Sequence, residues 1–198
     1  MIADGLHDVP AGKVAMIVTH LEMRSRPRLR PGTLPEDVKL RRVTPDLEWY
    51  RDIFARVGAL EWLWYGRLRL SDDALRGIIT DPGVEIFTLA HDGQDEALLE
   101  LDFREDGACE LAYFGLTPAL IGSGAGRALM NEAISRAWAR DISRFHVHTC
   151  TIDSPQALPF YLRSGFSVTR QQVEIDDDPR VLGVLPETAG PHVPLLRP

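Results

Sequence analysis

The sequence predicts a single α+β domain built around a mixed sheet. Three observations carry this. Apolar residues recur at helical spacing through the stretch from about 46 to 80. Between 84 and 116 the period changes to short apolar runs with turn residues between them. From 117 to 176 a helix, a strand, a second helix and a last strand follow in alternation. Helices first, an antiparallel meander next and a β-α-β-α-β run last fit one domain better than two. With 198 residues the chain is long enough for a substantial core and terminal extensions.

The elements follow in order. Residues 13–22, "KVAMIVTHLE", read as a strand. "MRSRPRLRPGTLPED" is rich in arginine and proline and reads as an extended, solvated connector, with a phosphate-binding arm as the minor alternative. "VKLRRV" (38–43) is a short strand. Thr44 is placed as a helix N-cap with Pro45 at the first helical position, and the helix is expected to stop at Gly58. "ALEWLWYGRLRL" is aromatic-rich and reads as a second helix or structured loop. Ser71 caps "DDALRGIIT", which Asp81-Pro82-Gly83 ends.

"VEIFTLAHDG" and "EALLELDFREDG" then read as paired strands, and "CELAYFGL" (109–116) as a third. A helix from about 124 to 140 carries Met130, Ala133, Ile134 and Ala137 on its buried stripe. Arg127, Asn131, Ser135 and Arg136 are expected to face out. "RFHVHTCTI" is a strand, Ser154-Pro155 opens a helix that ends at Gly165, and "FSVTRQQVEI" is a long last strand. The division expected is an N-terminal strand and connector (1–36), a main domain (37–176) and a Pro-rich tail packed on it (177–198).

Composition narrows the function. A 44% hydrophobic, 26% charged chain with net charge −7 is an ordinary globular protein, and that charge argues against nucleic acid as a partner. There is no run of 18 apolar residues and no secretory leader pattern, so no membrane association and a cytoplasmic location are expected. The two cysteines, Cys109 and Cys150, lie in strand-like runs and read as reduced, buried thiols.

The stretch "IGSGAGRALM" (121–130) places Gly122, Gly124 and Gly126 at the mouth of a helix. Glycine costs roughly 1 kcal/mol of helix propensity per residue relative to alanine, so the bare backbone must serve a purpose. A helix N-terminus offers unpaired N–H groups and a partial positive charge, and a loop without side chains lets a phosphate reach them. The competing reading is a tight turn with close packing. A P-loop would need Lys-Ser or Lys-Thr where Arg127-Ala128 stands, and a dinucleotide fingerprint would follow the first strand.

Two stretches together resemble the GNAT superfamily of acetyl-CoA-dependent N-acetyltransferases. Ile121-Gly122-Ser123-Gly124-Ala125-Gly126 is similar to the family's Gln/Arg-x-x-Gly-x-Gly/Ala signature in its glycines. Ser154 to Phe166, "SPQALPFYLRSGF", is similar to its Asn-x-x-Ala-x-x-x-Tyr-x-x-x-Gly-Phe pattern. Ile121 stands where Gln or Arg is usual, and Ser154 replaces Asn. The resemblance covers roughly 38–175 and implies a mostly antiparallel central sheet flanked by helices, with the N-terminal strand as an extension.

It also implies acetyl-CoA as cosubstrate, no metal, and direct attack by an amine in a ternary complex. The backbone of 121–127 (Ile121, Gly122, Ser123, Gly124, Ala125, Gly126, Arg127) would grip the pyrophosphate. Phe114, Gly115 and Leu116 would pair with the pantetheine arm, where their strand splays from its parallel neighbour. The Leu116 N–H would meet the oxyanion. Tyr161, with an ordinary pKa near ~10, would protonate the leaving thiolate. Glu110, six residues before Leu116, would be the base, helped by a desolvation-raised pKa. Its competing reading is a solvent-facing strand residue.

Glu100 is the second carboxylate candidate, and Trp62, Trp64 and Tyr65 are candidate walls of an amine pocket, with plain core packing as the alternative. His146 and His148 share a strand face; without an evident third ligand they read as site wall or proton relay rather than metal site. The acceptor would be a small-molecule or peptide amine. The first and last strands offer edges for a homodimer. The competing class is a GNAT-fold domain that binds acyl-CoA as a sensor or interaction partner without turnover.

Overall fold

The computed structural model describes residues 3–198. The strands are β1 (Lys13–Met23), β2 (Lys39–Val43), β3 (Val84–His91), β4 (Gln94–Asp95), β5 (Ala97–Asp102), β6 (Ala108–Leu116), β7 (Arg144–Cys150) and β8 (Ser167–Asp177). The helices are α1 (Leu47–Phe54), α2 (Leu60–Trp62), α3 (Asp72–Ile79), α4 (Ala125–Ala137) and α5 (Ala157–Arg163), with a π-helical segment at Ala55–Ala59. The sheet order is β2-β3-β5-β6-β7-β1-β8, with β4 paired to β3. Every pairing is antiparallel except β6 with β7. This is the mixed, mostly antiparallel α+β sheet that the pattern predicts. The N-terminal strand is no appendage: it lies inside the sheet, between β7 and β8.

Strand alternation divides the apolar residues between two cores. Leu99, Leu101, Leu111, Phe145 and Val147 meet Leu129, Met130, Ala133 and Ile134 of α4 and Tyr161 of α5. On the other face Ile86, Leu98, Met16 and Val18 meet Tyr50, Ile53, Phe54, Leu75 and Ile79, together with Leu185 and Ala189 of the tail.

Three local expectations change. Asp46, not Thr44, caps α1, accepting a hydrogen bond from the Trp49 N–H. The helix does not stop at Gly58 but runs through it as the π segment into α2. A Cβ at Gly58 would lie 2.0 Å from the Trp64 ring, so that glycine exists to admit an indole. The connector is docked rather than solvated. Leu29 and Leu34 pack on the α4-side core, Asn131 Nδ2 donates to the Arg30 carbonyl (2.7 Å) and Arg26 donates to Ser135 Oγ (3.3 Å). Asn131 and Ser135 therefore face the connector, not solvent. The tail is held by Arg180, 5% exposed, which pairs with Asp178 and donates to the carbonyls of Ala189, Val193 and Pro194.

Candidate functional site

Parallel strands β6 and β7 pair only through Ala108–Arg144, Cys109–Phe145 and Glu110–His146. Beyond that vertex β7 pairs with β1 alone, and β6 leaves it. The Thr117 N–H donates to the Glu96 carbonyl of the β5 side (3.0 Å). In an antiparallel ladder the inward groups alternate, so Phe114 and Leu116, opposite Leu99 and Ala97, turn their N–H and C=O groups away from β5 into the gap. The splay expected at Phe114–Leu116 is present. Gly115 has a different reason to be glycine: a Cβ there would lie 2.4 Å from Val57 Cγ1 and 3.1 Å from the Trp64 ring.

The gap opens toward the glycine loop. Gly122 (φ +84°) and Gly124 (φ +90°) hold left-handed backbone that other residues rarely adopt, and a Cβ on either would meet nothing within 4 Å. The space around them is empty, so close packing is not their role. Gly124 is the N-cap of α4 and brings no capping side chain. Within the loop the Ser123 N–H reaches the Leu120 carbonyl, Ala125 N–H reaches Ser123 Oγ, and the Arg127 and Ala128 N–H groups reach the Gly124 carbonyl. Among the described residues the N–H groups of Gly122, Gly124 and Gly126 have no acceptor. Such a set of bare donors at a positive dipole end suits a phosphate. Gly126 lies against Leu116 and so joins loop to strand end (Cβ to Leu116 Cδ1, 3.3 Å). Ile121 is 64% exposed and Ala125 is buried. Arg127 is exposed and donates to the Pro31 carbonyl of the connector (3.2 Å).

On the α5 side the gap is bordered by Phe114, stacked on Phe160 (5.5 Å between centroids), and by Tyr161. Burial, reinforced by Asp153, pushes the Tyr161 phenol well above its ordinary pKa, so it is protonated throughout the neutral range. On the α1 side Trp64 spans the opening: it abuts Gly115 of β6 and donates Nε1–H to Asp153 (2.9 Å), which also holds Thr149 and the Cys150 N–H of β7. Trp64 also packs on Phe54 and Tyr113, so it is as much core as wall. Tyr65 donates to Asp176 (3.0 Å), and Trp62 packs on His192 of the tail.

The two candidate carboxylates differ. Glu100 is 0% exposed, sealed under α1, where it accepts from the Tyr50 hydroxyl and from Arg67. It therefore lines no pocket; the helices that cover this half of the sheet convert it to an internal counter-ion. Glu110 sits at the vertex of the splay, on the wall of a hollow of about 340 Å³ shared with Asp102, Arg104, Glu105 and His146. His148 Nδ1 lies 3.4 Å from Glu110 Oε1. That contact holds the Glu110 carboxyl below its ordinary pKa, reversing the expected desolvation-driven rise, and lifts the His148 imidazole above its own. Burial, with Asp153 adding to it, pushes Cys150 up to about 12, so it is a thiol and not a ready nucleophile. Sequence reasoning missed Asp153, whose only signal is its position just after the strand end.

The acetyltransferase (GNAT) family model matches residues 47–166, more than half of the chain. Among curated proteins none matches it in sequence. A GCN5-related N-acetyltransferase from Sphaerobacter thermophilus has a similar fold at 13% identity and TM-score 0.59, over 83% of this chain and 52% of that one. One from Kribbella flavida is similar at 17% identity and TM-score 0.54, over 85% and 60%. A GNAT family acetyltransferase from Elizabethkingia anophelis with acetyl-CoA bound is similar at 14% identity and TM-score 0.53, over 69% and 80%. The chain thus spans little more than half the length of the first two.

Proposed function

The chain belongs to the acetyltransferase (GNAT) family, and on that premise we propose that it moves an acetyl group from acetyl-CoA to a primary amine by direct attack in a ternary complex. The observation that carries the proposal is the gap itself. The inward backbone groups of Phe114 and Leu116 have no strand partner, and the gap ends at the open glycine loop. The N–H groups of Gly122, Gly124 and Gly126 take the pyrophosphate, and the strand end pairs with the pantetheine amide groups. The glycine loop fits the cosubstrate because these N–H groups are free among the described residues and neither a Cβ nor a side-chain cap stands over them, and the strand end fits because its gap-facing groups have no strand partner.

Leu116, the N–H expected to meet the oxyanion, abuts Gly126 of the loop and so lies at the pyrophosphate end of the arm; the thioester carbonyl then lies nearer the vertex, where a gap-facing N–H of β6 stabilises the oxyanion as the amine attacks. The C–S bond breaks, and the protonated Tyr161 phenol supplies the proton that the thiolate takes. The ammonium's proton is taken at the vertex, where Glu110 and His148 face each other. Both cysteines are held as thiols, which favours direct attack over an acyl-cysteine. The acceptor is a small-molecule or peptide amine.

Calorimetric titration with acetyl-CoA, beside dephospho-CoA and ATP, tests the reading. Micromolar binding by the wild type and none by Gly124→Glu, followed by thiol release with an amine panel, is the expected result. Binding without thiol release from any amine would favour a non-catalytic acyl-CoA sensor. No binding by a folded sample would overturn the cofactor assignment.

A further inference from the structure

The uncovered half of the α1-side face carries a row of polar side chains that crosses three strands. Glu110 is on β6, His148 on β7 and His20 on β1. Cross-strand register puts His20 directly opposite His148, and Glu110 opposite His146, the next residue of β7 on the same face. Glu110 Oε1 and His148 Nδ1 are 3.4 Å apart, and the His148 and His20 rings are 5.9 Å apart between centroids. His20 Nε2 lies 2.8 Å from Gln172 Oε1 of β8. An amide oxygen only accepts, so in this contact Nε2 donates and Nδ1 keeps the lone pair; the donor-only guanidinium of Arg170 reaches the same Nε2 at 3.5 Å, the longer of the two contacts. His20, His148, Gln172 and Glu174 line a second open hollow of about 490 Å³. The row begins at the vertex where β6 and β7 part and ends at the edge strand of the sheet.

Resting on the acetyl-transfer reading above, we propose that His148 is the catalytic base, that Glu110 positions it, and that His20 of the N-terminal strand carries the proton onward to solvent. Neutral His148 donates Nδ1–H to Glu110, which leaves the Nε2 lone pair for the acceptor. The acceptor ammonium gives its proton to Nε2, and the freed amine attacks the thioester. The proton leaves His148 for the Nδ1 lone pair of His20 by way of water, across rings whose centroids are 5.9 Å apart, and goes from there to bulk. The same arrangement of carboxylate, imidazole and reacting proton operates wherever a buried carboxylate fixes a histidine's tautomer.

Other charged groups face this row. His146, on the same strand, is kept neutral by burial and lies 3.6 Å from Glu105. Asp153 beyond β7 and Glu174 of β8 add to the pull of Glu110 on His148, whereas burial and Arg170 of β8 keep His20 low. Because His20 holds a proton less firmly than His148, it does not retain one that reaches it and passes it to water.

The test is the pH–rate profile of the full chain and its variants with acetyl-CoA and an amine panel. Calorimetric acetyl-CoA affinity serves as the folding and cofactor control. Wild-type turnover should rise with pH through an inflection above the ordinary histidine value of about 6.5. His148→Gln should lose about 10²-fold in kcat, the low end for general base catalysis, lose that inflection, and bind acetyl-CoA normally. Glu110→Gln should move the inflection to lower pH, which a purely structural role would not do. His20→Ala should lower turnover less, and added imidazole buffer should restore it.

His148→Gln turnover within twofold of wild type, with the inflection intact, would overturn the relay while leaving acetyl transfer standing. Normal acetyl-CoA binding by a wild type that acetylates no amine would overturn both.

Discussion

Glu100 and Glu110 lie on neighbouring strands and face the same side of the sheet, yet the fold uses them in opposite ways. Glu100 sits beneath α1, fully enclosed, with Tyr50 and Arg67 satisfying its oxygens. Glu110 sits where β6 leaves β7, half-buried beside a hollow, with one histidine as its partner. The difference is cover. Helices α1 and α3, with the loop between them, bury the β3–β5–β6 half of this face. Around His148 of β7, His20 of β1 and Gln172–Ile175 of β8 the floor stays open, whereas Met16 and Val18 further along β1 are covered. A carboxylate under the helices must be neutralised from within the protein, so it becomes part of the folding energy. A carboxylate at the open vertex keeps a solvent-facing partner, so it remains free to exchange protons.

The largest effect expected is therefore at the covered site. Glu100→Ala leaves the Arg67 guanidinium, stacked 5.1 Å from the Tyr113 ring centroid, without its counter-ion. Losing one partner of such a buried pair costs about 3–5 kcal/mol, read as a fall in the urea midpoint at unchanged m. Stability within about 1 kcal/mol of wild type would break the contrast, since such a value belongs to an exposed pair. The next effect is kinetic and lies on the α5 side of the gap. Tyr161→Phe should lower turnover by about 10²-fold, the low end for a positioned acid, with acetyl-CoA affinity nearly unchanged. Equal turnover would remove Tyr161 from the acid role and leave its ring as core beside Phe166.

The covered half was the less legible in sequence, and the reasons are tertiary. Gly58 has the spacing of a helix stop, but its neighbour in space is Trp64, and the collision a Cβ would make there is invisible to a linear pattern. Glu100 reads as a second candidate carboxylate beside Glu110, and the structure instead seals it inside. Whether an inward carboxylate is sealed or open depends on Tyr50 and Arg67, which lie 50 and 33 positions away in the chain. By contrast the strands, the glycine loop and the shared face of His146 and His148 rest on short-range periodicity and turn chemistry, and the structure has them where the pattern puts them. His20 escaped because nothing local says that β1 lies beside β7. The arginine-rich connector misled for the same reason: its leucines bury against α4, a contact that composition alone does not reveal.

The smallest expected effect sharpens the comparison most, because it concerns the sign of a titration. Glu110 has its pKa lowered by His148, so its contribution to stability exists above the ordinary carboxylate value of 4.5 and fades as pH falls through the lowered one. His148 has its pKa raised by Glu110, so its contribution exists below the ordinary 6.5 and is lost as pH rises through the raised value. The two windows overlap between about pH 4.5 and 6.5, where both groups are charged in the folded and partly in the unfolded chain. The His148 side chain is 52% exposed, so solvent screens the pair and the gain stays below about 1 kcal/mol. Subtracting the urea stability of Glu110→Gln from that of the wild type across pH 3–9 isolates it from every other titrating group. The difference should be a shallow hump centred in that interval and flattened by salt. A difference that instead grows steadily toward high pH would mean that Glu110 is stabilised by a permanent cation, and His148 would then lose the carboxylate that positions it.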